Sequence, residues 1–269
     1  MFVPHHERIA AAGASPGAWL VFLHGILGSG ANWRTFARRL VDRRPDWGAV
    51  LVDLRMHGQS QDAPGPHTLA AAAGDVVALV DLLDRDGAPV GGVAGHSFGG
   101  KVALSTADQR PIARVWVLDA DPAPDPDGLA RPAGPARVLD HLAALPRRMP
   151  SRADFVRALV DRGLDRGLAQ WLAMNVVPDG DAYRLRLDIA AVRGLLASYY
   201  AADLWPAADR IAARAALHFV LGGQSDVVSA ASRARMHTLR ATVDVIEAAG
   251  HWLHVDAPDA LRDVIARDL

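Results

Sequence analysis

Within the 269-residue chain, Gly95-His96-Ser97-Phe98-Gly99 has the clearest capacity for chemistry. It follows a short apolar run at 90–94 and precedes a helical stretch at 101–108, so the serine falls on a strand-to-helix turn. Small neighbours at Gly95, Gly99 and Gly100 let such a turn be sharp enough to thrust out a nucleophilic hydroxyl. The following helix aims its first amides at an anion developing there. An ordinary glycine-rich turn with an incidental serine would give the same five residues, so the motif needs partners. Asp226, in Gly223-Gln224-Ser225-Asp226, and His251, in Ala249-Gly250-His251-Trp252, supply them. Each lies just past a strand-like run, at 217–221 and 243–247, and the order serine, acid, histidine is one used by sheet-based hydrolytic sites. A serine hydroxyl is barely ionised at neutral pH and needs a base such as imidazole, whose tautomer a carboxylate then fixes. A surface-loop histidine is the bland alternative for His251 alone; its combination with Ser97 and Asp226 outweighs that alternative. The run His24-Gly25-Ile26-Leu27-Gly28-Ser29 brings a second backbone amide near the nucleophile, making the main-chain N–H groups of Ile26 and Phe98 the expected oxyanion donors. Such a donor is worth about 3 kcal/mol in the transition state. His24, His96 and His254 are expected to be structural rather than second bases.

These residues need a scaffold, and the apolar periodicity provides one. Buried-strand runs at 18–23, 49–54, 90–94 and 112–118 alternate with helical spacing at 32–43, 68–83 and 101–108, with Thr68 as an N-cap. Such alternation predicts a doubly wound, mostly parallel α/β sheet. A Pro/Asp-rich linker at 121–128 interrupts it, helical spacing dominates to residue 200, and strand character returns at 216–221 and 243–247 before a terminal helix. The expected organisation is a core at 1–121 and 207–269 with a helical cap inserted at 122–206. Trp171, Met174, Leu195, Tyr199, Tyr200 and Trp205 are candidates to line a pocket beneath it, against the simpler reading that they are core; Arg147-Arg148 reads as a solvated charged face.

Composition narrows the chemistry. The chain has no cysteine, 51% hydrophobic and 22% charged residues and a formal net charge of −1. Disulfides, thiolate catalysis and Cys-bound metals are thereby excluded, and there is no global field to gather nucleic acid or an anionic membrane. No basic-then-apolar signal opens the sequence, and no apolar run is long enough for a membrane span, so a soluble cytoplasmic protein is expected. Lys101 is the only lysine.

The blocks Leu23 to Ser29, Asp53-Leu54-Arg55-Met56-His57-Gly58-Gln59-Ser60, Gly95 to Lys101 and Gly250 to Pro258 together resemble the α/β-hydrolase superfamily over nearly the whole chain. Gly99-Gly100-Lys101, Leu118-Asp119-Ala120-Asp121-Pro122 and Gly250-His251-Trp252-Leu253-His254 are most similar to YbfF-type carboxylesterases. The resemblance implies a serine hydrolase acting on a small-molecule ester or thioester through an acyl-enzyme, without metal or organic cofactor. In those esterases the segment matching Leu118-Asp119 carries an aspartate able to act as the triad acid, so Asp119 is the alternative to Asp226, which fits the usual acid loop of the superfamily. A carbon–carbon bond hydrolase, a cofactor-free haloperoxidase and a non-catalytic ligand-binding relative remain alternatives on the same residues.

Overall fold

The computed structural model describes residues 2–269. β2 (Ala18–Leu23) is apolar on both faces, with Val21 and Leu23 packed into one layer and Leu20 and Phe22 into the other. A strand of this kind is stable only in the middle of a covered sheet. It lies between β3 (Trp47–Val52) and β4 (Val90–His96), both parallel to it. β5 (Arg114–Leu118), β9 (Ala216–Gly222) and β10 (Thr242–Ile246) extend the parallel sheet on one side, and β1 (His6–Ile9) closes the other as an antiparallel edge. The strand order is β1-β3-β2-β4-β5-β9-β10.

One face of the sheet carries α1 (Arg34–Arg43), which buries Phe36, Ala37, Leu40 and Val41 at helical spacing, and α11 (Pro258–Arg267) beside it. The other carries α2 (Leu69–Arg85) and α3 (Phe98–Gln109). The Thr68 side chain caps α2 by accepting from the Ala71 amide at 3.2 Å, as the sequence predicts. Two short helices, α9 (Ala230–Met236) after β9 and α10 (Leu253–Asp256) after β10, were not read from the sequence.

Between β5 and β9 lie α4 (Pro135–Ala143), α5 (Arg152–Val160), α6 (Arg166–Leu172), α7 (Ile189–Ala201) and α8 (Trp205–Ala212). The segment is not wholly helical, contrary to expectation. β6 (Arg148–Met149), β7 (Val176–Asp179) and β8 (Ala182–Leu185) form a second, antiparallel sheet in the order β6-β8-β7. The Gly180-containing turn, with Gly180 at φ 66°, folds β7 onto β8. Among the described residues, no helix is long and apolar enough to cross a membrane.

Candidate active site

Ser97 lies between β4 and α3 with φ 55° and ψ −116°, a conformation L-residues adopt only when surroundings enforce it. The enforcement comes from close packing: a Cβ on Gly95 would collide with the Gly99 carbonyl, and one on Gly99 would come within 2.6 Å of the Leu23 carbonyl oxygen. The glycines are thus required by the approach of β4, α3 and the end of β2, and the serine hydroxyl is left at the head of the turn.

The acid facing His251 is Asp119, the alternative, rather than Asp226. His251 Nδ1 donates to Asp119 Oδ2 at 2.7 Å. Asp119 is fully buried, and its carboxylate also accepts from the Ser225 hydroxyl at 2.5 Å and the Gly222 amide at 3.0 Å. Three donors offset the loss of hydration that burial imposes on the carboxylate. Because an ionised carboxylate only accepts, the bond puts the imidazole proton on Nδ1 and leaves the Nε2 lone pair free to act as a base. Asp226 is exposed, makes no hydrogen bond or ion pair among the described residues, and lines the same cavity as Ser97 and His251. The loop expected to supply the acid instead turns its preceding residue, Ser225, onto Asp119.

The cavity has a volume of about 560 Å³, and Ile26, Phe98, Leu196, Tyr199 and Tyr200 contribute to its wall. The amides of Ile26 and Phe98 donate to no protein acceptor among the described residues. Of the six pocket candidates, Tyr199 and Tyr200 line this cavity; Trp171 and Met174 line a separate cleft, and Leu195 and Trp205 are buried in the apolar core.

Three other histidines, His24, His57 and His96, hold loops in place. His24 Nε2 accepts from the Leu54 amide at 3.0 Å while its Nδ1 donates to the Gly25 carbonyl at 2.7 Å. His57 repeats the arrangement, accepting from Leu27 N–H at 2.9 Å and donating to the Arg55 carbonyl at 2.9 Å. Burial lowers the His24 pKa and pushes that of His57 down to about 3, so both are neutral. His96 Nε2 donates to the His251 carbonyl at 2.7 Å, pinning the loop that carries His251; burial holds His96 well below its usual range. His254 packs against Trp33, and burial pushes it down to about 4.

Lys101, one turn into α3, is buried and donates to the carbonyls of Ala123, Tyr199 and Ala202 at 2.7, 2.9 and 2.8 Å. Its ammonium therefore joins α3 to both ends of the inserted segment. Burial pushes its pKa down to about 8, against the opposing fields of Asp121 and Asp125. Sequence reasoning noted Lys101 as a lone lysine and missed this role; the signal was a single cation in the otherwise apolar first half of its helix, Phe98 to Leu104.

Residues 20–264 match the sequence pattern of the alpha/beta hydrolase family. The chain is 29% identical over 255 residues to esterase YbfF of Escherichia coli (strain K12), with 93% of this chain and 92% of that one covered. It is also 29% identical over 255 residues to the sn-1-specific diacylglycerol lipase ABHD11 of Mus musculus, covering 91% and 79% of the two chains. Its identity to 2-succinyl-6-hydroxy-2,4-cyclohexadiene-1-carboxylate synthase of Klebsiella pneumoniae (strain 342) is 30% over 271 residues, covering 96% of each. Among solved structures, a marine microorganism esterase superposes over both whole chains with a TM-score of 0.82 at 20% identity, a likeness of fold. The esterases and lipase among these relatives are enzymes of the carboxylic-ester hydrolase type. With its parallel sheet, its serine turn and a family pattern spanning nearly its full length, the chain belongs to the alpha/beta hydrolase family.

Proposed function

We propose that the protein is a serine hydrolase cleaving carboxylic esters or thioesters of small to medium acyl chains, with Ser97, His251 and Asp119 as its triad. The observation that carries this reading is the buried Asp119–His251 pair opening on the cavity that also holds Ser97. In the first half-reaction the Ser97 oxygen attacks the ester carbonyl as His251 Nε2 takes its proton. The oxyanion is received by the free amides of Ile26 and Phe98. Collapse breaks the bond to the alcohol or thiol, which leaves with the proton from His251. Water then attacks the acyl-enzyme by the same steps in reverse, releasing the acid and restoring Ser97. The inserted segment acts as a cap, supplying Leu196, Tyr199 and Tyr200 to the acyl side of the cavity.

Charge supports a neutral substrate over one bearing a carboxylate. Lys101 is engaged by three carbonyls, Arg131 pairs with Asp125 at 2.9 Å, and Asp226 stands unpaired in the wall. A fluorophosphonate probe is expected to add one adduct, located on Ser97 by peptide mass spectrometry, in protein that hydrolyses p-nitrophenyl esters. Turnover without a Ser97 adduct would overturn the mechanism. Cleavage of vinylogous diketones with no ester turnover would replace it with carbon–carbon hydrolysis.

A further inference from the structure

The amide of Ile26 belongs to a tight turn whose geometry is held from outside. Gly28 N–H donates to the Gly25 carbonyl at 3.1 Å, closing a four-residue turn with Ile26 and Leu27 at its centre. Leu27 takes φ 67°, a left-handed conformation that a branched side chain adopts at a cost and that a turn of this type needs at its third residue. The Gly25 carbonyl and the Ile26 N–H share one planar trans peptide and point in opposite directions. Holding the carbonyl with Gly28 N–H and His24 Nδ1 therefore aims the Ile26 amide away from them.

The Leu27–Gly28 peptide, two along, is held in the same way. Its N–H is that of Gly28, and its carbonyl, on Leu27, accepts from Asn175 Nδ2 at 2.9 Å. Asn175 is only 7% exposed and comes from the inserted segment, 148 positions along the chain. Its own carbonyl accepts from Arg186 N–H at 2.8 Å, and the Arg186 guanidinium donates to the Gly58 carbonyl at 2.7 Å. Gly58 follows His57, which accepts from Leu27 N–H. Two points of the inserted segment thus grip the two loops that hold Leu27. The bonds run unbroken from the Asn175 amide to the Leu27 carbonyl, from Gly28 N–H to the Gly25 carbonyl, and on to the free Ile26 N–H.

We infer that Asn175 is a positioning residue for the oxyanion donor: through two peptide groups it aligns and polarises the Ile26 amide, so the donor pair is complete only when the inserted segment is seated. Each bond in such a chain strengthens the next donor, and a fixed donor needs no reorganisation when charge develops. The inference rests on the proposed serine mechanism and adds a dependence on the inserted segment.

The test compares Asn175→Asp, which keeps shape but removes the donors, and Asn175→Leu, which keeps volume without charge, with the parent chain. The readouts are kcat and KM on a p-nitrophenyl ester, with affinity for an alkyl boronic acid as tetrahedral-anion mimic and for the matching neutral amide as ground-state mimic. In both variants, kcat is expected to fall roughly 10- to 30-fold, less than the ~100- to 1,000-fold loss for removing a direct donor. KM and amide affinity should stay within about twofold, while boronate affinity falls in step with kcat. Unchanged kcat, or boronate and amide affinities that fall together, would overturn the inference. A variant that only melts earlier, with kcat intact well below its Tm, would do the same. A parent chain without ester turnover or a Ser97 adduct would instead defeat the serine mechanism beneath it.

Discussion

The two aspartates show where residue-level reasoning stops. β5 pairs with β9, Leu118 stands opposite Val220, and Asp119 N–H donates to the Val220 carbonyl at 2.8 Å. The chain ends leaving these strands are therefore neighbours, and an acid at 119 or at 226 starts from nearly the same point. Position past a strand singled out Ser97 and His251, which the structure brings to one cavity, but did not separate the acids; Asp226 was preferred only for its likeness to the usual acid loop. Asp119 at φ 46° turns its carboxylate towards His251, and that orientation, with the converging Ser225 and Gly222 donors, has no one-dimensional signature. Asp119→Asn is expected to lower kcat on a neutral p-nitrophenyl ester by about 10³- to 10⁴-fold, because the imidazole loses its tautomeric control. Asp226→Asn should leave that rate within about threefold. A carboxylate-bearing ester provides a second readout for the latter variant. One unit charge about 6 Å away in water contributes roughly 0.7 kcal/mol, so kcat/KM for that ester should rise about threefold. Collapse of neutral-ester turnover in Asp226→Asn, with Asp119→Asn near normal, would reverse the assignment.

At the scale of elements, the parallel core was legible because buried strands and amphipathic helices each repeat a strong period, and Thr68 announced α2. The inserted segment was less so. β6, β7 and β8 are two to four residues long, too short for alternation to stand out against flanking helices. The hairpin signal was nonetheless present in Gly180-Asp181, between two strands of mixed polarity. What no pattern disclosed was how the segment attaches. Asp121 accepts from Ala123 N–H at 2.9 Å and the Ser232 hydroxyl at 2.6 Å, fixing the departing chain to α9, and Lys101 gathers both of the segment's ends onto α3. Lys101→Met retains much of the stem's packing but leaves three carbonyls without their donor. At about 1 kcal/mol for each, the loss is roughly 3 kcal/mol. Differential scanning calorimetry should show a fall in Tm of roughly 6–12 °C, taking about 2–4 °C per kcal/mol for a domain near this size. A shift under 2 °C would mean that the three carbonyls find other partners and that Lys101 does not secure the stems.

Across the whole molecule, the loops that build the site are fastened by neutral histidines, and this gives the fold a pH dependence of its own. His57 and His254 are pushed down to about 3 and 4 by burial, and His24 and His96 are lowered by the same cause. In the unfolded chain each imidazole titrates near 6.5. Between about pH 6.5 and each native value, the unfolded state therefore binds a proton that the native state does not, and stability rises with pH across that window. Read downward, the contribution is complete above pH 6.5 and is lost progressively as pH falls towards 4 for His254 and 3 for His57. Each contributes a slope of about 1.4 kcal/mol per pH unit once well inside the window. Buried Asp75, paired with Arg55 at 2.7 Å and shifted upward by burial, works in the opposite direction and offsets part of the loss. Calorimetric unfolding from pH 7.5 to 5 should accordingly give a falling Tm, with net uptake of about two or more protons on unfolding at pH 5. His57 is the sharpest probe: its imidazole Cε1–H NMR signal should remain untitrated to below pH 5, since protonating Nε2 would break the bond to Leu27 N–H that steadies the turn presenting Ile26. A flat Tm together with a His57 resonance titrating near pH 6.5 would show that this loop is not held by a neutral ring.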